Sequence, residues 1–172
     1  MQRKPTQINA SIHSSRPVSE FIGRTDLFFR TKIDFEVSDP IVRLVRLVAR
    51  ASFATREDWT EHREAIVDTG APVSLVPVAI WQEIDYRLLT PHEFRLTIGG
   101  EPVRVKLAEV TVRLHDDRAI SSPLTIKAHL LSDDAHPLLL GFEDVLTDLR
   151  LVSDYARQVA YLEWPASAAG SV

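Results

Sequence analysis

The chain of 172 residues contains no cysteine, which excludes disulfides, thiolate nucleophiles and cysteine-based metal sites, and leaves the redox compartment unreadable. No apolar run approaches the roughly 18 to 20 residues that a membrane span needs. The N-terminal stretch lacks the apolar core of a secretory signal. A cytoplasmic location without membrane contact is therefore the default expectation. Positive charge is not in excess, since 20 Lys and Arg stand against 24 Asp and Glu, for a net charge of -4. With a pI near 5.9 the chain has no electrostatic footprint for nucleic acid. Glycine is scarce at six residues, so each place where the backbone must turn sharply or be approached closely stands out.

Several chemistries are missing as well. No glycine-rich phosphate loop or Gly-x-Ser-x-Gly elbow is present. The six histidines are scattered, and Glu61-His62-Arg63-Glu64 is not a His-Glu-x-x-His zinc helix. Asp116-Asp117 and Asp133-Asp134 read as solvated turn carboxylates rather than metal ligands. No metal or cofactor is expected. What remains is 45% hydrophobic and 26% charged, ordinary for one globular domain with a core of useful size.

In chain order, residues 1–26 read as a flexible tail with no acid before Glu20. From Leu27 the pattern alternates, with Phe29, Thr31, Ile33, Phe35 and Val37 on the same face, which predicts a half-buried strand. Residues 41–48 fit helical spacing at Ile41, Leu44, Val45 and Val48, while their valine content favours strand. We read a strand over 45–53, with residues 54–64 as a long hairpin connection. A short helix is predicted over 78–84 behind Pro77. Phe94, Leu96 and Ile98 alternate into Gly99-Gly100, and Val103, Val105 and Leu107 alternate out, which is the pattern of a β-hairpin. A change of phase near Ala108 predicts a bulge or bend. A further strand is expected over 124–130 and a helical segment over 142–149, followed by a closing hairpin over 150–155 and 158–164. Residues 166–172 form a small-residue tail. The sum is a mainly β domain over 27–165 with one or two short helices.

The stretch with chemical content is Ala65-Ile66-Val67-Asp68-Thr69-Gly70-Ala71. A buried strand here delivers a carboxylate into a tight turn, and a carboxylate after an apolar run is costly unless it is hydrogen-bonded or useful. Gly70 leaves room for close approach, and the Thr69 hydroxyl can hold the turn by a local hydrogen bond. A plain Asx-turn at the end of a strand would read the same way.

The apolar-apolar-Asp-Thr-Gly-Ala sequence at Ile66 to Ala71 resembles the catalytic turn of single-lobe, retropepsin-like aspartic peptidases. Two later features fit that pattern in order: the Gly99-Gly100 hairpin, in the position of a flap, and Leu139-Leu140-Gly141 before a short helix. Four of the six glycines, Gly70, Gly99, Gly100 and Gly141, fall at these three places, while Gly23 and Gly170 fall in the expected tails. The resemblance covers roughly residues 45–164. It implies a closed, single-lobe β-barrel in which Asp68, Thr69 and Gly70 form the catalytic turn, and Ala71, Gly99 and Gly100 contact an extended peptide. Every such flap is also a hairpin, so the glycine pair by itself does not separate the two.

One chain carries one such motif, so the resemblance further implies a homodimer in which two Asp68 carboxylates meet on a two-fold axis. The sequence departs from retroviral relatives, which pair an Asp soon after the motif with an Arg after the later glycine. Pro72, Val73 and Phe142 hold those places here. The cellular and bacterial branch is the closer likeness. The expected partner is a peptide or protein substrate. The rival expectation is a peptide- or protein-binding module of the same fold in which Asp68 meets no second carboxylate. A third possibility is a structural domain in which Asp-Thr-Gly is coincidence.

Overall fold

The computed structural model describes residues 21–34 and 42–165. Twelve strands and one short helix make up the described elements: β1 (Phe21–Asp26), β2 (Phe28–Asp34), β3 (Val42–Phe53), β4 (Arg63–Val67), β5 (Ser74–Val76), α1 (Val78–Trp81), β6 (Tyr86–Leu88), β7 (Phe94–Ile98), β8 (Glu101–His115), β9 (Leu124–Leu131), β10 (Leu139–Leu140), β11 (Arg150–Asp154) and β12 (Val159–Pro165). The mainly β expectation holds. Among the described residues no helix is long and apolar enough to cross a membrane.

The larger sheet runs β2-β3-β4-β10-β5-β9-β8-β6, with β7 also on β8. The C-terminal half of β3 pairs with β8 from Arg50↔His115 to Phe53↔Val112, so β3, β4, β10, β5, β9 and β8 close into a ring. Closure pairs each strand of the ring on both sides and leaves β2, β6 and β7 as the strands with an open edge. The main core is shared by this ring and strand β12, and in it Phe53, Leu114, Ile126, Leu130, Leu140 and Leu162 are fully buried. Each such side chain contributes about 1.5–3 kcal/mol relative to exposure.

Four sequence expectations change. First, Phe21–Asp26 is not tail: it pairs with β12, and with β11 forms a separate three-stranded sheet. A Cβ built on Gly23 would stand 2.1 Å from the Trp164 indole nitrogen, so glycine there makes room for the ring. Residues 1–20, 35–41 and 166–172, which include Phe35, Val37, Ile41 and Gly170, lie outside the described residues. Second, β3 starts at Val42, which settles the ambiguous stretch as strand; Leu44 and Val45 are exposed there, opposite Lys32 and Thr31 of β2. Third, the phase change near Ala108 is not a bulge, because pairing between β8 and β9 runs unbroken from Val105↔Leu131 to Val112↔Leu124. The strand instead buries opposite faces at its two ends. Val103 and Val105 pack with Leu75 and Leu131 in a second apolar cluster, and Ala108, Val110, Val112 and Leu114 point into the main core. Fourth, the expected helix over 142–149 is an irregular turn at Phe142–Leu146, in which Glu143 is extended and Asp144 has φ +62°.

The remaining connections are ordered by local bonds. The 54–62 loop folds on itself through the Asp58 amide to Thr55 Oγ1 at 3.0 Å and an Ala54↔Trp59 bridge. The amide of Ala79, at the start of α1, donates to Asp134 Oδ1 at 2.9 Å. Asp133 and Asp134 are thus turn and capping acceptors, and no group of three or more metal-ligating side chains occurs among the described residues.

Candidate active site

Strand β10 lies between β4 and β5, parallel to the first and antiparallel to the second. The turn that joins β4 to β5 must therefore cross the end of β10, and Asp68 stands at its start. Its amide donates to Leu140 O at 3.0 Å, so the backbone of the aspartate is anchored to β10. Its side chain curls back over the turn: Asp68 Oδ1 accepts the Gly70 amide at 2.8 Å, and Asp68 O accepts the Ala71 amide at 3.3 Å. This is an Asx-type turn, which fixes the carboxylate by a bond inside its own loop.

Glycine at position 70 follows from that bond. Its φ is not in the left-handed region; a Cβ there would lie 3.2 Å from Asp68 Oδ1 and crowd the carboxylate it holds. Gly141 has a harder requirement. A Cβ would come within 2.6 Å of the Val73 carbonyl carbon and 2.8 Å of the Ser74 nitrogen, because the chain leaving β10 passes directly beneath the Asp68 turn. The Gly141 amide donates to the buried Ser74 Oγ at 3.0 Å, and the amides of Phe142 and Glu143 reach Ala71 O at 2.8 Å and Pro72 O at 3.0 Å. Two loops distant in sequence are laced together by backbone bonds.

The segment after Gly141 is braced from β9. Asp144 Oδ2 accepts the Lys127 amide at 2.8 Å, and the Lys127 ammonium reaches Glu143 at 3.1 Å and Asp144 at 3.2 Å. These two carboxylates hold the ammonium pKa above its usual value, through hydrogen bonds to Glu143 and then Asp144. Phe142 is half exposed beside this brace.

The expected flap is a two-residue hairpin between β7 and β8, closed by the pair Ile98↔Glu101. Gly99 and Gly100 have φ of +60° and +90°, the mirror-image turn that favours glycine at both positions. A cleft of about 320 Å³ brings the hairpin and the turn together. It is lined by Asp68, Gly70 and Ala71 on one side and by Leu96, Thr97, Ile98 and Gly99 on the other. Thr69 is exposed on the turn outside this lining, and Gly100 lies at the hairpin tip, also outside it. His129 of β9 faces the same cleft. No local motif marked it; the odd-numbered face of β9, opposite Ile126, Ala128 and Leu130, was the only sequence signal.

A larger groove of about 970 Å³ lies elsewhere, along Thr55, Arg56, Trp81, Asp85, Tyr86 and Leu88. It contains none of the residues singled out by the motif.

The fold and this cleft define a mainly β protein of the retropepsin-like architecture. The solved structure of a retropepsin-like aspartic protease from Rickettsia conorii is similar to it with a TM-score of 0.50, covering 88% of this chain and 98% of that one at 16% identity. At that identity the likeness is one of fold. No family model matches the chain. Among curated proteins, similarity extends to the Multifunctional CCA protein of Nitrosomonas europaea, 37% identical over 62 residues. That of Burkholderia mallei is 34% identical over 108 residues. The matches cover 35% and 55% of this chain, and only 15% and 26% of those proteins.

Proposed function

We propose that the chain is an aspartic endopeptidase of the retropepsin-like class that works as a homodimer. The observation that carries this reading is the shared cleft, in which the Asp68 turn faces the Gly99 hairpin on a retropepsin-like fold. Thr69, exposed beside Asp68, would face the second protomer across the two-fold axis, and Gly100 would contact substrate with Gly99 as the hairpin closes. An extended peptide fits such a cleft by strand-like backbone bonds.

Two Asp68 carboxylates brought within about 3 Å cannot both ionise, so they share one proton. The ionised member takes a proton from a water, which attacks the scissile carbonyl carbon. The protonated member donates to the carbonyl oxygen as charge develops there. Collapse of the tetrahedral intermediate breaks the C–N bond, and the leaving amine takes a proton from the dyad. The titration belongs to the pair.

The single Asp-Thr-Gly motif in the chain favours one other reading, a peptide-binding module in which Asp68 has no mate. Cleavage of a denatured protein mixture across about pH 3.5 to 7.5, with wild type and Asp68→Asn side by side, separates the two. A loss of about 10²–10⁴-fold in Asp68→Asn, together with a dimeric mass by sedimentation, supports the peptidase. No cleavage by a folded, monomeric wild type leaves the binding module.

A further inference from the structure

The cleft wall contains one side chain out of keeping with its neighbours. Along β9, the face opposite the main core carries Thr125, Lys127, His129 and Leu131. Lys127 is taken up by Glu143 and Asp144, and Leu131 is fully buried in the second apolar cluster. His129 lies between them, in register with Leu75 of β5 and Leu107 of β8. Its ring meets Phe94 edge to face, with centroids 5.6 Å apart at 76°.

The rest of the wall around it is aliphatic, from Leu75, Leu96, Ile98 and Leu139. Besides Asp68, only Thr97 and His129 bring a polar side chain to this lining. Burial lowers the His129 pKa below its usual value, so the ring is neutral at pH 7 and presents one N–H donor and one nitrogen acceptor. A half-buried imidazole in an apolar wall is costly unless something satisfies it. Simple packing on Phe94 would be met equally by leucine or phenylalanine, with no polar atom to satisfy.

We infer that His129 is the specificity-determining group of a side-chain subsite in the cleft, which takes a peptide residue with an apolar stem and a neutral hydrogen-bonding tip, such as glutamine or tyrosine. The stem lies against Leu75, Leu96 and Leu139 while the tip pairs with the imidazole. This subsite rests on the reading that the cleft holds an extended peptide, and it serves a peptidase and a binding module alike.

The test uses a randomised octapeptide library in two ways: products of wild-type cleavage are sequenced, and peptides retained by immobilised Asp68→Asn protein are sequenced in parallel. At one position, glutamine, asparagine and tyrosine should be enriched about 3- to 10-fold over leucine and methionine, the size of one hydrogen bond. His129→Leu should reverse that preference toward aliphatic residues, and His129→Gln, which keeps a donor and an acceptor, should restore part of it. Position preferences unchanged in His129→Leu, with cleavage intact, overturn the subsite alone. Retention that depends on His129 without any cleavage overturns the peptidase reading and keeps the subsite. Neither cleavage nor retention by any of the proteins overturns both. If His129→Leu does not fold, His129→Gln and His129→Phe carry the comparison, and equal preferences in those two overturn the proposal.

Discussion

Gly141 and Ser74 are joined across 67 positions of sequence by a buried hydrogen bond of 3.0 Å from the Gly141 amide to Ser74 Oγ. It forms where the chain leaving β10 runs beneath the Asp68 turn, with no room for a Cβ. The glycine supplies the space and the serine satisfies the amide that the space would otherwise strand. The position of Asp68 therefore depends on a residue 73 positions later in the chain.

From this pair we predict that Gly141→Ala lowers stability by about 2–3 kcal/mol, because the obstructing atoms are backbone and cannot swing aside. Ser74→Ala should cost about 1–3 kcal/mol by leaving a buried amide unpaired. Urea denaturation curves with unchanged m-values check both. A Gly141→Ala midpoint equal to wild type would show that the two loops are not locked as described.

Gly23 and Trp164 make a similar pair at the other sheet, where the indole lies over the glycine. A methyl group at Gly23 meets the rigid ring rather than a flexible tip, so Gly23→Ala should pry β1 from β12. We expect lost hydrogen-exchange protection for the amides of Thr25 and Leu27, which face β12, with β3 and β4 amides unchanged, since β1 is an edge strand of the smaller sheet. Equal protection in both regions would contradict the prediction.

What the sequence showed and what it hid follow from how local each signal was. Alternation and glycine pairs are short-range, so the β7-β8 hairpin, the closing hairpin of β11 and β12 and the Asp-Thr-Gly turn could be read directly. The phase change in β8 was also visible, but its cause was not: a strand that buries opposite faces at its two ends gives the same pattern as a bulge. Gly23 sat in a polar, acid-poor stretch that read as tail, because the tryptophan that needs it is 141 positions away. The helix predicted over 142–149 failed for a related reason. Its spacing was helical, and the bonds with Ala71, Pro72 and Lys127 that pull it into an irregular turn involve two distant segments. The place of His129 in the cleft depends on β9 lying beside β5, which no local pattern shows.

The Asp144 carboxylate is predicted to matter more than its neighbour. It accepts a backbone amide from Lys127 while its own amide donates to Thr147 Oγ1 at 3.0 Å, and it holds a left-handed φ that aspartate tolerates better than alanine. Asp144→Ala should cost about 1–3 kcal/mol, and Asp144→Asn, which keeps an acceptor and the tolerance for that φ, should cost less. Glu143 pairs only with an exposed ammonium among the described residues, so Glu143→Ala should stay within about 0.5 kcal/mol. Thermal midpoints of the three variants give the order, and equal losses for Glu143→Ala and Asp144→Ala would refute it.

Asp116 ties β1 to the turn after β8 and makes stability depend on pH. Burial pushes its carboxyl pKa up, but amide bonds from Asp26, Arg118 and Ala119 outweigh that, and the folded pKa lies below the ordinary 3.8. The bonds are short, 2.8 Å from Asp26 and 2.7 Å from each of the others. A carboxylate whose folded pKa is depressed stabilises the fold fully above its unfolded pKa and loses that contribution as pH falls through the folded value. Asp116→Asn should therefore be less stable than wild type by about 1–2 kcal/mol at neutral pH, with the gap closing between roughly pH 4 and pH 2. Denaturation midpoints of the two proteins at a series of pH values measure the gap directly. A difference that stays constant through the acid range would mean that the amide bonds, and not the charge, hold this turn to β1.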